Sequence, residues 1–157
     1  MSRLDRYMAD YGSYHADARN EATHAIGIPM IVLSLLMLAG NVSLGEIGGL
    51  RLDLGMALIV AVTIFYLVLS PGLGLAMGAF LALLHLFGHA VLGANIWIAL
   101  GLFVGGWVLQ FVGHAYEGKR PAFLKNGIHL LVGPVWIVDR GLRLLSRRGA
   151  REQRHGG

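Results

Sequence analysis

The feature that most constrains this chain is a long interval without acidic or strongly basic side chains. Between Asp53 and Glu117 there is no Asp, Glu, Lys or Arg. A helix that spans the hydrocarbon core of a bilayer needs roughly 20 apolar residues, so the interval has room for about three. A soluble bundle needs a charged face on each helix, and this interval provides none. The sequence therefore predicts an integral membrane protein.

Turn signals divide the apolar sequence into segments of membrane-spanning length. Residues 70–72 read Ser-Pro-Gly, a combination typical of turns. A polar loop at residues 41–53 separates the uncharged interval from an earlier apolar run. We therefore predict an all-α bundle of about four transmembrane helices, at residues 25–40, 54–70, 73–92 and 96–113.

The two ends of the chain are predicted to lie at the membrane surface. Apolar residues recur at helical spacing among charged ones in residues 1–24, which predicts an amphipathic surface helix. The apolar segment 127–138 is too short to span and predicts an interfacial or re-entrant helix. We expect residues 1–140 to form one membrane-embedded domain. The arginine-rich residues 141–157 are expected to form a basic cytoplasmic tail, either disordered or bound to anionic lipids.

Basic residues predict the orientation. With four spans, both termini and the segment after the fourth span share one side. That side receives all but one of the 13 Lys and Arg residues, the exception being Arg51. The positive-inside rule then places both termini in the cytoplasm. No nucleic-acid partner is expected, and a homo-oligomer is compatible with the sequence.

Four histidines fall at helix ends on this cytoplasmic side and indicate a metal site. They are His15, His24, His114 and, in the short last segment, His129. Neutral imidazole is the commonest protein ligand of transition metals. Three or four imidazoles from separate helices suit iron, zinc or manganese. The chain has no cysteine, which excludes thiolate sites and iron–sulfur clusters.

Local spacing gives these histidines polar neighbours. Asn20 and His24 are four residues apart and share one helix face. Gln110, His114 and Glu117 form a second stripe at i, i+4 and i+7. Helix capping or contact with lipid headgroups explains any single interfacial histidine. Three histidines beside amides and a carboxylate favour a binding site.

His85 and His89 form a separate pair in the third predicted span. They lie four residues apart, and an imidazole pair inside a membrane is a functional-site hypothesis. In the predicted topology they lie away from the other four histidines, towards the opposite membrane face. Neutral histidines hydrogen-bonded between helices explain the pair equally well.

Two segments carry a family resemblance. The first is an H-x4-N-x3-H…P motif from His15 to Pro29. The second is a GW-x2-QF-x-GH motif from Gly106 to His114, followed by E…KRPA from Glu117. In this order, both resemble the motifs of the 2-hydroxy fatty acid dioxygenases of fatty-acid α-oxidation. Bacterial members have the same length and layout, which implies a place in the bacterial inner membrane.

The resemblance implies an enzyme that uses non-haem Fe(II) and O₂ to remove one carbon from a 2-hydroxy fatty acid. The expected metal ligands are the motif histidines, His15, His24 and His114. The expected catalytic residues are the motif amides and carboxylate, Asn20, Gln110 and Glu117. The expected substrate-binding residues are the basic side chains nearby, Arg19, Lys119 and Arg120. Glu117 is expected to be either a fourth ligand or a partner that orients an imidazole.

Two other classes of function stay open at this point. A haem-binding membrane electron carrier would use paired histidines such as His85 and His89. A non-enzymatic membrane or lipid-binding scaffold would need no metal. In that scaffold, replacing His24 or His114 would change no chemistry.

Overall fold

In the computed structural model, the chain forms helices joined by short turns, with one β-hairpin among the described residues. The structure describes residues 3–124 and 127–155, and the side chains of residues 4–121, 123–124 and 127–143. The helices are α1 (Arg3–Ser13), α2 (Ala18–Gly40), α3 (Leu54–Leu69), α4 (Pro71–Ala90), α5 (Ile96–Glu117) and α6 (His129–His155). The strands are β1 (Ser43–Ile47) and β2 (Leu50–Asp53), and a short 3-10 helix covers Ala122–Leu124.

Helices α2, α4 and α5 are each long and apolar enough to cross a membrane. Helix α3 is also apolar but has only 16 residues. At 1.5 Å per residue its length is about 24 Å, somewhat less than a hydrocarbon core of about 30 Å. The predicted all-α membrane bundle is confirmed, and each predicted span corresponds to one of the helices α2 to α5. The orientation of the termini stays a prediction.

The N-terminal segment differs from the single amphipathic helix predicted over residues 1–24. Helix α1 ends at Ser13, the chain turns, and α2 begins at Ala18 rather than at residue 25. Asp17 explains the new start, because its carboxylate accepts a hydrogen bond from the backbone N–H of Arg19 at 2.8 Å. This is the capping interaction that begins a helix. The turn brings His15 back against His24 in α2.

The C-terminal helix α6 is longer than the short interfacial helix predicted over residues 127–138. It runs from His129 to His155 and crosses the predicted domain boundary at residue 140 without a break. Among its described side chains, residues 132–136 are buried, as at Val132 and Val135, whereas Arg140, Leu142 and Arg143 are exposed. Lipid binding by the tail stays a prediction. Outside the described residues or side chains lie Lys125 and four tail arginines, Arg147, Arg148, Arg151 and Arg154.

The polar loop predicted at residues 41–53 is a β-hairpin. Strands β1 and β2 pair antiparallel with Ile47 opposite Leu50, so only Gly48 and Gly49 connect them. Both glycines have positive φ, 58° and 82°, which a tight two-residue hairpin turn requires. Strand β2 ends at Asp53, which also caps α3, and the hairpin thereby places this carboxylate beside α4.

Helices α2 and α5 approach each other closely enough for their backbones to touch. A Cβ atom built on Gly27 would lie 2.9 Å from the carbonyl oxygen of Gly106, and one on Gly106 would lie equally close to the carbonyl of Gly27. A Cβ on Gly113 would lie 2.5 Å from Oδ1 of Asn20. Small residues permit such close helix contacts in membranes. This packing joins the two sequence motifs, one of which lies on each helix.

Candidate metal centre

Three histidines converge where α1, α2 and α5 meet. His15 lies in the turn between α1 and α2, His24 lies in α2, and His114 lies in the last turn of α5. All three are buried, with ring centroids 4.4 Å (His15–His24), 4.8 Å (His24–His114) and 5.3 Å (His15–His114) apart. One nitrogen from each ring lies within 4.8 Å of the other two. The structure thus brings together the three predicted metal ligands.

Hydrogen bonds to backbone carbonyls decide which nitrogen of two rings is available to a metal. Nδ1 of His15 lies 2.7 Å from the carbonyl oxygen of Tyr11, and Nδ1 of His24 lies 2.9 Å from that of Asn20. A carbonyl oxygen only accepts, so each Nδ1 carries the proton and each Nε2 keeps its lone pair. Burial lowers the pKa of His15, so this imidazole is neutral at pH 7.

The donor set fits a divalent transition metal. Nε2 of His15 and Nδ1 of His114 are buried and have no hydrogen-bond partner within the described part of the chain. Unpaired buried nitrogens are costly, and a bound ion satisfies them. Three neutral imidazoles suit iron, zinc or manganese and leave further coordination positions open. The carbonyl contacts of His15 and His24 are typical of metal sites, where such contacts fix the ring orientation.

Glu117 holds the turn that carries His15. Its carboxylate accepts hydrogen bonds from the backbone N–H groups of Ala16 and Asp17 and from Nδ2 of Asn20, over 2.8 to 3.2 Å. Both carboxylate oxygens take part. The carboxylate therefore ties the end of α5 to the start of α2. Both roles predicted for Glu117, a fourth ligand or a partner that orients an imidazole, stay predictions.

The two motif amides lie beside the histidines, each with an unused polar atom. Asn20 is fully buried, and its Nδ2 donates to the carbonyl oxygen of Tyr14 at 3.0 Å and to Glu117. Its Oδ1 has no partner among the residues that the structure describes. Gln110 is also buried, and its Nε2 is likewise without a partner there. Because Gln110 faces a cavity, its amide is available to a ligand.

An apolar cavity opens onto the three histidines. Its volume is about 190 Å³. Its wall includes the three histidines and then follows α2 from His24 to Leu35, a distance of roughly 16 Å at 1.5 Å per residue. The apolar part of the wall includes Ile28, Ile31, Val32, Leu35, Phe103 and Trp107.

The three basic residues predicted to bind substrate are not among the described residues of the cavity wall. Arg19 pairs with Asp17 at 2.9 Å, and its guanidinium lies over the ring of Tyr116. Lys119 donates to the carbonyl oxygen of Ser13 at 2.8 Å, and Arg120 is exposed. Arg19 and Lys119 therefore support the turn between α1 and α2. Attraction of a substrate carboxylate by these residues stays a prediction.

The other described histidines of the transmembrane region and of α6 lie apart from this centre. His129 borders the cavity, and its Nε2 lies 3.0 Å from Oδ2 of Asp10. His85 and His89 lie together on α4 with ring centroids 4.3 Å apart, and Asp53 lies beside them. Sequence reasoning missed the partners Asp10 and Asp53, because each is distant in the chain from the histidine it faces.

Comparison with known proteins identifies the family of this chain. A family model described as 2-hydroxy-palmitic acid dioxygenase Mpo1-like matches residues 1–143. The chain belongs to this family. This Mpo1-like chain is also 35% identical, over 132 residues, to the 2-hydroxy-palmitic acid dioxygenase MPO1 of Saccharomyces cerevisiae. The match covers 82% of this chain and 73% of the yeast protein. No solved structure matches the chain.

Membership in the Mpo1-like family confirms the resemblance seen in the two motifs. The matched residues include all three histidines of the centre, both amides and Glu117. The family supports a dioxygenase of fatty-acid metabolism. It adds no information about the cavity wall, which sequence reasoning also missed. Those residues are ordinary apolar residues of membrane helices, and only packing reveals which of them face inward.

Proposed function

We propose that this protein is a non-haem Fe(II) dioxygenase that shortens 2-hydroxy fatty acids by one carbon. The observation that carries the proposal is a cluster of three buried imidazoles at one end of an apolar cavity. A 2-hydroxy fatty acid has a small polar head and a long apolar chain. The cavity offers the same division, with polar groups at the histidines and apolar walls beyond them.

In this proposal His15, His24 and His114 hold Fe(II), each through one ring nitrogen. Bound there, the iron supplies the activation of O₂. The carbonyl oxygens of Tyr11 and Asn20 already orient two of the rings, so these ligands need little rearrangement when the metal binds. Glu117 keeps His15 in place by holding the backbone of the turn.

The remaining walls bind and orient the fatty acid. Each CH₂ group that the apolar wall removes from water contributes about 0.8 kcal/mol to binding. Gln110 donates an N–H group to the carboxylate or hydroxyl of the substrate, which directs C1 and C2 towards the histidines. Trp107, which lies one turn before Gln110 on α5, helps to exclude water from the polar end.

The reaction balances without a further reductant. A 2-hydroxy acid R–CH(OH)–COOH and O₂ give R–COOH, CO₂ and H₂O. The C1–C2 bond breaks, C1 leaves as CO₂, and C2 becomes the new carboxyl carbon. The substrate supplies all four electrons that reduce O₂, so no second organic substrate is needed.

The test is metal content followed by turnover. Full-length protein is purified in detergent, loaded with Fe(II), and assayed in air with 2-hydroxypalmitate. We expect one iron per chain at this centre and pentadecanoic acid as the product. His24→Ala and His114→Ala are each expected to lose this iron and at least a hundredfold in rate, because two imidazoles bind iron far more weakly than three.

His129→Gln is the matched control, because it removes a buried histidine that lies outside the three-histidine cluster. It should keep its iron. If the protein binds iron but converts no 2-hydroxy acid, the proposed substrate class is wrong. Wild-type protein that binds no iron, or an iron content per chain that is the same in wild type and in both alanine variants, would refute the centre and support the scaffold interpretation.

The geometry argues against the haem interpretation of His85 and His89. Two axial imidazoles bind haem iron from opposite faces of the porphyrin, so the macrocycle must fit between the rings. His85 and His89 are one turn apart on α4, with ring centroids only 4.3 Å apart. No macrocycle fits in that space. Purified protein should accordingly show no Soret band after incubation with haem and removal of the excess.

A further inference from the structure

We propose that Asp53, His85 and His89 form a second metal site, for a divalent transition metal ion such as zinc. This cluster lies at the opposite end of α2 from the candidate dioxygenase centre. Gly40 contacts His89 at that end, and at 1.5 Å per residue it is roughly 24 Å along α2 from His24. The proposal therefore does not depend on the proposed function.

The three side chains meet in a geometry that suits a shared ion. One ligand atom from each lies within 4.8 Å of the others. Nε2 of His85 lies 3.3 Å from Oδ2 of Asp53, whereas N–H···O hydrogen bonds usually measure about 2.7–3.2 Å. Two ligands bound at about 2.0–2.1 Å to one tetrahedral zinc lie roughly 3.3 Å apart. The observed spacing fits two ligands of one ion.

Two nitrogens of the cluster lack partners. His85 is 5% exposed, and its Nδ1 makes no hydrogen bond to any described residue. The same holds for Nε2 of His89. Asp53 uses only one oxygen to cap α3, since Oδ1 accepts from the backbone N–H of Met56 at 2.9 Å while Oδ2 faces His85. A bound ion would take Nε2 of His89, Oδ2 of Asp53 and one ring nitrogen of His85, namely Nε2, which faces Asp53.

Glycines surround the cluster and make room for its rings. A Cβ atom on Gly40 would contact Nε2 of His89 and lie 3.2 Å from Cε1 of His85. One on Gly55 would lie 2.9 Å from both Cε1 of His85 and Oδ1 of Asp53. The chain therefore places its smallest residues where α2 and α3 pass the imidazoles. His89 is only partly buried, which leaves a route for an ion from the membrane surface.

The position of the cluster indicates a structural role. Two histidines and one carboxylate bind zinc or Fe(II) with at least one position open to water. Asp53 follows the hairpin and begins α3, and the two histidines lie in the last turns of α4. A bound ion thus fastens these elements together next to the end of α2. Because it binds only the folded chain, it raises the thermal stability.

The test measures zinc bound to the full-length protein in detergent. The protein is stripped with a chelator, incubated with Zn²⁺ alone, freed of excess metal and analysed for zinc per chain. We expect about two zinc ions in wild type, one in His89→Gln and one in His24→Ala. The control His129→Gln should keep two. Zinc should raise the Tm of the His24→Ala protein but not that of a His24→Ala, His89→Gln double variant.

The outcomes separate this proposal from the proposed function. One zinc per wild-type chain that is lost in His24→Ala and kept in His89→Gln overturns the second site alone. One zinc that is lost only in His89→Gln upholds the second site and counts against the first. Asp53→Asn serves as the second variant if His89→Gln does not fold, since asparagine keeps a cap oxygen but removes the charged ligand. Retention of two zinc ions in both of these variants also refutes the site.

Discussion

Two histidine clusters lie at opposite ends of helix α2, and they are built differently. In the cluster near its start, His15 and His24 donate to backbone carbonyls, which orient the rings without adding charge. In the cluster near its end, His85 faces the carboxylate of Asp53. The first cluster is therefore a neutral ligand set, whereas the second carries a negative charge of its own.

The difference in ligand charge between the two clusters indicates a different role for a metal ion at each end of α2. Beside the three neutral ligands, the carboxylate of Glu117 is already bonded to backbone N–H groups of the turn, so much of the positive charge of a divalent ion is left to be matched by something that enters the adjoining cavity, and a fatty acid is an anion of that kind. At the other end, Asp53 supplies part of that match from the protein, and Gly40 and Gly55 bring the backbone up against the rings. We infer chemistry at the first cluster and stabilisation at the second.

The variant with the largest expected effect disturbs the first cluster and leaves metal binding at the second cluster unchanged. In Gly113→Ala the new Cβ would contact Oγ1 of Thr23 and lie 3.0 Å from Nδ1 of His24, so these side chains or α5 itself must shift. Such overpacking costs about 1–3 kcal/mol. Because His114 is the next residue, we expect at least a tenfold weaker affinity for Fe(II) and a matching loss of turnover. Metal titration of the purified variant measures the affinity.

The mirror variant is Gly40→Ala, whose Cβ meets His89 instead. It should lower zinc binding at the second cluster and leave Fe(II) turnover unchanged. Gly101→Ala is the control for both, because no atom lies within 4 Å of the position of its Cβ. If each glycine variant weakened both metal sites equally, the two ends of α2 would not be independent, and the comparison would fail.

Glu117→Gln is expected to weaken the first cluster less than the glycine variant. Glutamine can keep an acceptor oxygen at the position of Oε2, but its NH₂ group then faces the backbone N–H of Ala16 that Oε1 accepted, which loosens the turn that carries His15. Loss of such an orienting contact typically costs 10- to 100-fold in metal affinity, and because glutamine keeps one acceptor oxygen we expect a loss below tenfold here. Saturating Fe(II) should therefore restore most of the turnover, as measured by an iron titration of the rate.

The control for this prediction is Glu46→Gln, which changes an exposed carboxylate of the hairpin. It should titrate with iron as wild type does. Turnover that stays low at saturating Fe(II) would show that Glu117 contacts the metal or the reacting atoms. The residue would then be a fourth ligand, which is the alternative that the sequence left open.

The first cluster was predictable from sequence, and the second only in part. Asn20 and His24, like Gln110 and His114, stand at helical spacing within recognisable motifs, so their shared faces follow from the periodicity. His85 and His89 show the same spacing, but their acidic partner Asp53 lies beyond a turn and another helix. That contact arises only when α3 and α4 pack side by side.

The errors in the predicted helices have a similar cause. The predicted boundaries followed the apolar runs, whereas the helices continue into polar sequence where capping or packing allows. Asp17 starts α2 ahead of the apolar run, and α6 extends beyond Val138 into the arginine-rich segment. The hairpin was missed because its signal is the pair Gly48 and Gly49, which also suits an ordinary loop.

The smallest expected effect compares two aspartates that both cap helices, Asp17 and Asp53. Asp17 lies at the surface, where hydrogen bonds from the side chain and backbone of Arg19 lower its pKa to about 2, from an ordinary 3.8. Its charged form therefore stabilises the folded state above pH 3.8, and this contribution disappears as the pH falls to about 2. Asp17→Asn keeps a cap oxygen but lacks the charge at every pH.

We accordingly expect metal-free wild type to have a slightly higher Tm than Asp17→Asn at pH 5–7, with the two values converging towards pH 2. Thermal unfolding in detergent across this range measures the difference, and titration of the histidines cancels because both proteins carry them. A difference that stayed constant with pH would mean that Asp17 acts through its shape rather than its charge. Asp53→Asn should behave differently, because its main loss is the zinc-dependent rise in Tm. Asp17, which faces solvent, then stabilises only the start of α2. Asp53, which faces two imidazoles, also completes the proposed metal site.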